Sequence, residues 1–147
     1  MMNDIDADLQ PLLLKVAQDP FARTIGIELL DVAPGHSRVA LTLEDRHLNS
    51  LGIAHGATIF ALADQAFALA SNSHGMVAVA LDVSISFLAA ARKGERLIAE
   101  ATEKHLGNRT ALYHIDVRSE NGTLIASCQG TVYRKQKPLA EAQLQRT

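Results

Sequence analysis

One apolar segment, Ala57–Ala70, constrains the fold of this chain more than any other part of the sequence. Its only charged residue is Asp64, and a helical arrangement places Phe60, Phe67 and two alanines around that acid at the i±3 and i±4 positions. A helix that is apolar on all sides is expected to be buried. Because a carboxylate is costly to desolvate, the segment predicts a buried helix whose acid is either paired or used.

The residues before this helix suggest what the acid could be used for. His55 and Gly56 stand where the helix would begin, and the first N–H groups of a helix have no intrahelical acceptor. An acid and an open helix N-terminus form a candidate catalytic pair. The residues alone leave a structural interpretation open, in which Asp64 pairs with an arginine across an interface, His55 and Gly56 only start the helix, and Asn49 makes an Asx turn.

Length and composition predict a single domain. The chain has 147 residues, enough to bury a core, and its hydrophobic content of 48% suggests that some apolar surface is buried between subunits. We expect one domain over 1–147, with a core at about 20–135, an N-terminal helix at about 7–18 and a frayed tail at 136–147.

Charge and cysteine content exclude several kinds of partner. A net charge of −2 gives no reason to expect nucleic acid or a membrane surface. The single cysteine, Cys128, excludes an internal disulfide, and the acidic N-terminus does not resemble a signal peptide, so we expect a cytoplasmic protein. The histidines other than His55, including His47, have no metal-ligand spacing and are expected in surface or loop positions, with no metal and no cofactor.

The rest of the chain favours β-structure around the long helix. Alternating apolar residues predict strands at 25–32, 39–44, 77–87, 94–105, 109–119 and 123–135. Short turns join the last strands, which therefore pair antiparallel. Because the long helix needs cover, the sequence predicts an α+β fold in which a curved antiparallel sheet wraps a central helix.

Several motifs together carry a resemblance to a known family. They are His47-Leu48-Asn49, His55-Gly56, the helix segment 60–68, Asn72-Ser73-His74-Gly75 and the strand segment 83–88. At this spacing they resemble the hotdog-fold acyl-CoA thioesterases, in particular the phenylacetate-degradation type called PaaI, over roughly residues 20–135.

The resemblance implies a role for each candidate catalytic residue. The backbone N–H of Gly56 would bind the thioester oxygen, which gains negative charge during addition. Asp64, supplied across a dimer, would act as general base or nucleophile. Asn49 would orient the water or the acid, and His55 would fix the loop by hydrogen bonding.

The resemblance also implies how coenzyme A is held. Pantetheine would run beside the strand that contains Val83 and Ser84. Basic or polar residues near the turns would meet the phosphates, and the candidates are Arg92, Lys93, Asn108 and Arg109. The expected assembly is a homodimer or homotetramer with the active site at the dimer interface.

The expected reaction is therefore hydrolysis of an aryl-acetyl or medium-chain acyl-CoA to the free acid and coenzyme A. Two alternatives stay open on the same fold. One is a non-catalytic acyl-CoA-binding or regulatory protein, and the other is an enoyl-CoA hydratase.

Overall fold

The computed structural model describes residues 1–144, in which a six-stranded sheet packs against one long helix. The helices are α1 (Gln10–Ala17), α2 (Pro20–Ile25) and α3 (Gly56–Asn72). The strands are β1 (Glu28–Ala33), β2 (His36–Thr42), β3 (Met76–Phe87), β4 (Arg96–Leu106), β5 (Thr110–Ser119) and β6 (Leu124–Pro138). Single 3₁₀ turns lie at Asp45–His47 and Leu139–Glu141.

The sheet has the order β1-β2-β4-β5-β6-β3, and every neighbouring pair is antiparallel. Alternate residues of β5 face α3, and this inner row of Ala111, Tyr113, Ile115 and Val117 is fully or almost fully buried. The α+β arrangement expected from the sequence, with a long central helix against an antiparallel sheet, is thereby confirmed.

The seat of α3 on the sheet depends on one small residue. A Cβ added to Gly130 of β6 would lie 2.7 Å from Phe67 Cζ, so the absence of a side chain lets the phenyl ring lie on the strand. The same ring packs edge-on against Tyr113, with ring centroids 5.7 Å apart. Ser37 Oγ of β2 donates to the carbonyl of Ala66 and adds a buried polar tie.

The expected start of the first strand at Ile25 is wrong, because residues 20–25 form the short helix α2. Pro20 ends α1 as expected, but it also occupies the first position of α2, where the missing N–H costs nothing. The carboxylate of Asp19 caps this helix by accepting from Ala22 N–H at 2.7 Å. Gly26 then ends it in the left-handed conformation, at φ 91°.

The frayed tail expected at 136–147 is also wrong in its first residues, which are ordered. β6 continues to Pro138, because Met76 of β3 pairs with that residue. The N–H of Leu139 donates to the carbonyl of Gly75 at 2.7 Å, and the leucine side chain is buried. Residues 145–147 of the expected tail lie outside the described residues.

The expectation that α3 is buried on all sides is also wrong. The sheet covers most of the helix, but Ala57, Phe60 and Asp64 form an exposed stripe, and Phe60 and Asp64 lie next to Val83 of β3. β3 beside it is an edge strand that pairs only with β6 in the described chain. Large apolar side chains at and beyond this edge are exposed, namely Val79, Leu81, Phe87 and Leu88. Apolar groups of α3 and of the edge strand beside it are therefore uncovered.

No helix within residues 1–144 combines the length and the apolar character needed to cross a membrane.

The contact between Gly130 and Phe67 can be tested by overpacking. We expect Gly130→Ala to destabilise the fold by about 1–3 kcal/mol, because the new methyl group would displace the Phe67 ring. Phe67→Leu removes the end of the ring, so the double variant should lose less stability than the sum of the two single losses. Urea unfolding of the four proteins measures this coupling, and strictly additive losses would contradict the proposed contact.

Candidate active site

An apolar cleft of about 370 Å³ opens where three parts of the chain meet. These parts are the N-terminus of α3, the loop 49–54, and the segment 87–90 at the end of β3. The loop and the segment are joined because the N–H of Ala54 donates to the carbonyl of Ala91 at 2.8 Å. The lining residues are Asn49, Ile53, Ala54, Gly56, Ile59, Phe87, Leu88, Ala89 and Ala90.

The start of α3 presents one backbone N–H to this cleft. His55 Nδ1 accepts from the N–H of Ala57 at 2.9 Å, and the His55 carbonyl accepts from the N–H groups of Thr58 and Ile59. Within residues 1–144, the Gly56 N–H has no acceptor. At a helix N-terminus this donor attracts negative charge, so it suits an oxygen that becomes anionic during a reaction.

His47 holds this helix start in place. It lies in the connection between β2 and α3, as the expected loop position implies, but the expected surface position is wrong. Its side chain is 1% exposed. Nδ1 accepts from the N–H of Glu44 at 2.9 Å, so Nε2 carries the hydrogen and donates to the carbonyl of Ile25 at 2.7 Å. The His47 carbonyl in turn accepts from the N–H of His55 and from Thr58 Oγ1. Burial could not be inferred from a polar stretch of sequence.

Asn49 makes the Asx turn that the structural interpretation predicts, and it also lines the cleft. Its Oδ1 accepts from the N–H of Leu51 at 2.9 Å and, more weakly, from that of Ile53. The side-chain oxygen is therefore committed to the loop. The remaining polar group of the side chain is the Nδ2 amide, which can only donate.

Asp64 lies elsewhere on α3, in a surrounding that disfavours its charge. Its side chain is exposed in the single chain, but apolar groups crowd it at a crevice too narrow for water. Desolvation raises the pKa of Asp64, and the negative charge of Asp19 raises it further. Within the described residues no cation or hydrogen-bond donor offsets this shift. The other crevice residues are Phe60, Ala63, Phe67, Val83, Ile115 and Cys128.

One chain does not bring Asp64 and Gly56 together. Asp64 follows Gly56 by eight positions along α3, which corresponds to about 12 Å of helix. Asp64 is not among the residues that line the cleft. A general base must lie within hydrogen-bond reach of the reacting water, so these two groups of the same chain cannot serve one carbonyl.

The residues predicted to bind coenzyme A fall into separate places. Val83 faces α3 at the crevice, whereas Ser84 is exposed on the opposite face of β3. Arg92 follows the cleft segment, and its backbone forms an isolated β-bridge with Ile53. Lys93 Nζ forms a salt bridge with the exposed carboxylate of Asp45 at 2.9 Å. Arg92 and Lys93 therefore lie at the cleft end of the sheet.

Asn108 and Arg109 lie at the other end of the sheet. The carbonyl of Arg109 accepts from the N–H of Arg134. The residue before Arg134 is Tyr133, which pairs with Val79 near the start of β3. The cleft lies at the far end of this strand, and the eight residue steps from Val79 to Phe87 correspond to roughly 26 Å. In one chain these two residues therefore lie far from the cleft.

Phe87 is a cleft residue that the sequence analysis did not single out. A Cβ placed on Gly56 would lie 3.3 Å from the Cζ atom of Phe87, so the phenyl ring covers the glycine. The alternation of Val83, Ile85 and Phe87 along β3 was the available signal, because it places Phe87 on the face toward α3.

A second polar cluster, on the outer face of the sheet, joins a serine, a histidine and an aspartate. Ser127 Oγ donates to Asp116 Oδ1 at 3.0 Å, and His114 Nε2 lies 2.9 Å from the same oxygen. A hydrolytic triad needs the histidine between the other two groups, with one ring nitrogen for each. Here the same nitrogen, His114 Nε2, faces both the Ser127 hydroxyl and the Asp116 carboxylate, so the arrangement is not a triad. Residues 1–144 contain no group of three potential metal ligands.

Comparison with known proteins agrees with the cleft chemistry. Residues 51–126 match the family described as the thioesterase superfamily. The acyl-coenzyme A thioesterase PaaI of Escherichia coli (strain K12) is 34% identical over 116 residues, which cover 79% of this chain and 83% of PaaI.

Solved structures show the same likeness. A mutant of the phenylacetic acid degradation protein PaaI from Thermus thermophilus is 45% identical, with a TM-score of 0.76 over 79% of this chain and 99% of that chain. A Streptococcus mutans UA159 protein bound to acetyl CoA is 30% identical, with a TM-score of 0.74 over 76% of this chain and 90% of that chain. The chain therefore belongs to the thioesterase superfamily, as a hotdog-fold acyl-CoA thioesterase close to PaaI.

Proposed function

We propose that this protein hydrolyses an aryl-acetyl or medium-chain acyl-CoA at a site completed by a second copy of the chain. The observation that carries the proposal is the Gly56 N–H, which has no acceptor in the described residues and stands at the head of an apolar cleft. The relation to PaaI, and the acetyl CoA held by the Streptococcus mutans protein, support a coenzyme A thioester as the substrate.

The Gly56 N–H binds the thioester carbonyl oxygen in this proposal. As a nucleophile adds to the carbonyl carbon, the oxygen becomes negative, and the helix N-terminus stabilises it more strongly than it stabilises the neutral carbonyl. In the same proposal the Asn49 Nδ2 amide, at the same cleft, orients the attacking group. His55 has a supporting role, because its ring already accepts the Ala57 N–H.

Asp64 supplies the proton transfer in this proposal. As general base it takes a proton from a water whose oxygen bonds to the carbonyl carbon, and the carbon–sulfur bond breaks with the proton passing to the thiolate. As nucleophile it bonds to the carbon itself, and the carbon–sulfur bond breaks to release the coenzyme A thiolate. Water then hydrolyses the mixed anhydride to the free acid and the Asp64 carboxylate, and a proton from that water passes to the thiolate. The raised pKa of Asp64 favours the base route, because proton transfer is most effective when the pKa lies near the working pH.

The uncovered apolar groups of α3 and β3 support a shared site. If the free edges of two β3 strands pair antiparallel, the two α3 helices also lie antiparallel beside each other. Phe60 is midway between Gly56 and Asp64 along α3. A twofold axis at Phe60 would therefore place Gly56 of one chain opposite Asp64 of the partner subunit.

The same pairing would unite the predicted coenzyme A residues. Antiparallel β3 strands place the start of one strand beside the end of the other. Asn108 and Arg109 of one chain would then approach the cleft of its partner, where Arg92 and Lys93 lie. This arrangement accounts for two groups of phosphate-binding candidates at opposite ends of one sheet, and we propose at least a homodimer.

The reaction predicts a sharp effect of Asp64→Asn. The amide cannot take a proton or attack the thioester, so we expect kcat to fall by about 100-fold or more while acyl-CoA still binds. Release of coenzyme A from phenylacetyl-CoA and octanoyl-CoA, followed with a thiol-reactive dye, measures the loss. Activity equal to that of the wild-type protein would contradict the role of Asp64. Binding without thiol release by the wild-type protein would instead favour a non-catalytic module.

The pH dependence of folding stability provides a control for the Asp64→Asn variant. Because the folded state raises the Asp64 pKa, it binds more protons than the unfolded state, and stability falls as pH rises through that pKa. Asp64→Asn should therefore be at least as stable as the wild-type protein at neutral pH. This advantage should shrink below the ordinary Asp range of about 3.9, where both states are protonated. A variant that is less stable at pH 7 would contradict the raised pKa.

The Gly56 donor can be removed without breaking the helix. Proline is tolerated at the first helical position, and His55 has φ −63° and ψ 138°, a conformation that suits a residue before proline. We expect Gly56→Pro to lower kcat by about 100-fold or more, because it removes the N–H. Alanine and proline both carry a Cβ that would contact Phe87, but Gly56→Ala keeps the N–H. Gly56→Ala should therefore retain most of the activity. Equal losses would show that the Phe87 contact, and not the donor, matters.

A further inference from the structure

Phe87 occupies an unusual position at the candidate site. The ring lies over Gly56, where a Cβ would be 3.3 Å from Cζ and 3.5 Å from Cε1, yet the side chain is 53% exposed. Within residues 1–144 the one aromatic pair is Phe67 with Tyr113, so the Phe87 ring stacks on no other aromatic side chain. A large apolar group is thus held half in solvent beside the proposed oxyanion donor.

The backbone beneath this ring is held by β6. Phe87 pairs with Ala126 of β6, and the Ile125 carbonyl accepts from the N–H groups of Leu88 at 2.8 Å and Ala89 at 3.2 Å. The ring can therefore turn about its own side-chain bonds, but the strand end cannot withdraw from the cleft. Its position relative to Gly56 is set by the sheet.

This position determines which part of a substrate the ring meets. A thioester oxygen bound to the Gly56 N–H at about 2.9 Å places the carbonyl carbon next to the glycine. Of the two groups on this carbon the acyl group is the more apolar, so burial favours its lying along the apolar surface that Phe87 provides. A phenyl group one carbon away from the carbonyl falls within the range of about 4.5–7 Å in which aromatic rings attract each other, whereas a linear chain gains only apolar contact.

We propose that Phe87 is a specificity-determining residue that favours aryl-acetyl thioesters over linear acyl thioesters of the same carbon number. This inference rests on the proposed function of the cleft. It predicts that the aromatic ring at position 87, and not merely its bulk, sets the ratio between the two kinds of substrate.

The test compares phenylacetyl-CoA with octanoyl-CoA, since both acyl groups contain eight carbons. For each protein, the ratio of kcat/KM for the two substrates is measured by thiol release. Phe87→Leu keeps an apolar side chain but removes the ring, and we expect it to lower the ratio by about 3- to 10-fold. Phe87→Tyr restores the ring and should restore the ratio.

A merely structural role for Phe87 would lower both kcat/KM values equally. An unchanged ratio in Phe87→Leu, or a ratio that Phe87→Tyr fails to restore, would overturn the inference. The same ratio is measured for equilibrium binding in an Asp64→Asn background, where the thioesters persist. If the wild-type protein releases no thiol, the proposed hydrolysis fails, but the binding ratio still decides the role of Phe87.

Discussion

The contact that positions every other part of the site is the packing of α3 on the sheet. Phe67 lies on Gly130, where no side chain intervenes, and Ser37 ties the helix backbone to β2. This seat buries most of the helix and leaves one exposed stripe that contains Asp64. Because the helix is held rigidly, both its open N-terminus and its acid are fixed in direction.

The uncovered stripe of α3 and the free edge of β3 have one physical explanation. An acid among apolar groups is costly, and exposed apolar side chains beside an unpaired strand favour association. A second copy that covers both would remove apolar surface from water and would bring the acid to the cleft. In the proposed base route, the energetic cost of the Asp64 charge is the property that suits it to take a proton.

The α+β fold could be predicted from the sequence. Apolar periodicity indicated α3 and its strands, and the motif spacing pointed to Gly56 and Asp64. Periodicity could not show which side of an apolar helix stays uncovered, since that depends on how far the sheet extends. Likewise, the burial of His47 and the position of Phe87 over Gly56 depend on contacts between segments distant in sequence.

The central claim is that each cleft uses the acid of the other chain, and mixed dimers test it most directly. Asp64→Asn lacks the acid and Gly56→Pro lacks the donor, so each homodimer is expected to be inactive. A mixed dimer from co-expression contains one intact site if Asp64 acts across the interface, and the mixture should recover roughly a quarter of wild-type activity. If native mass spectrometry detects mixed dimers and activity stays at the level of the separate variants, the shared site is contradicted.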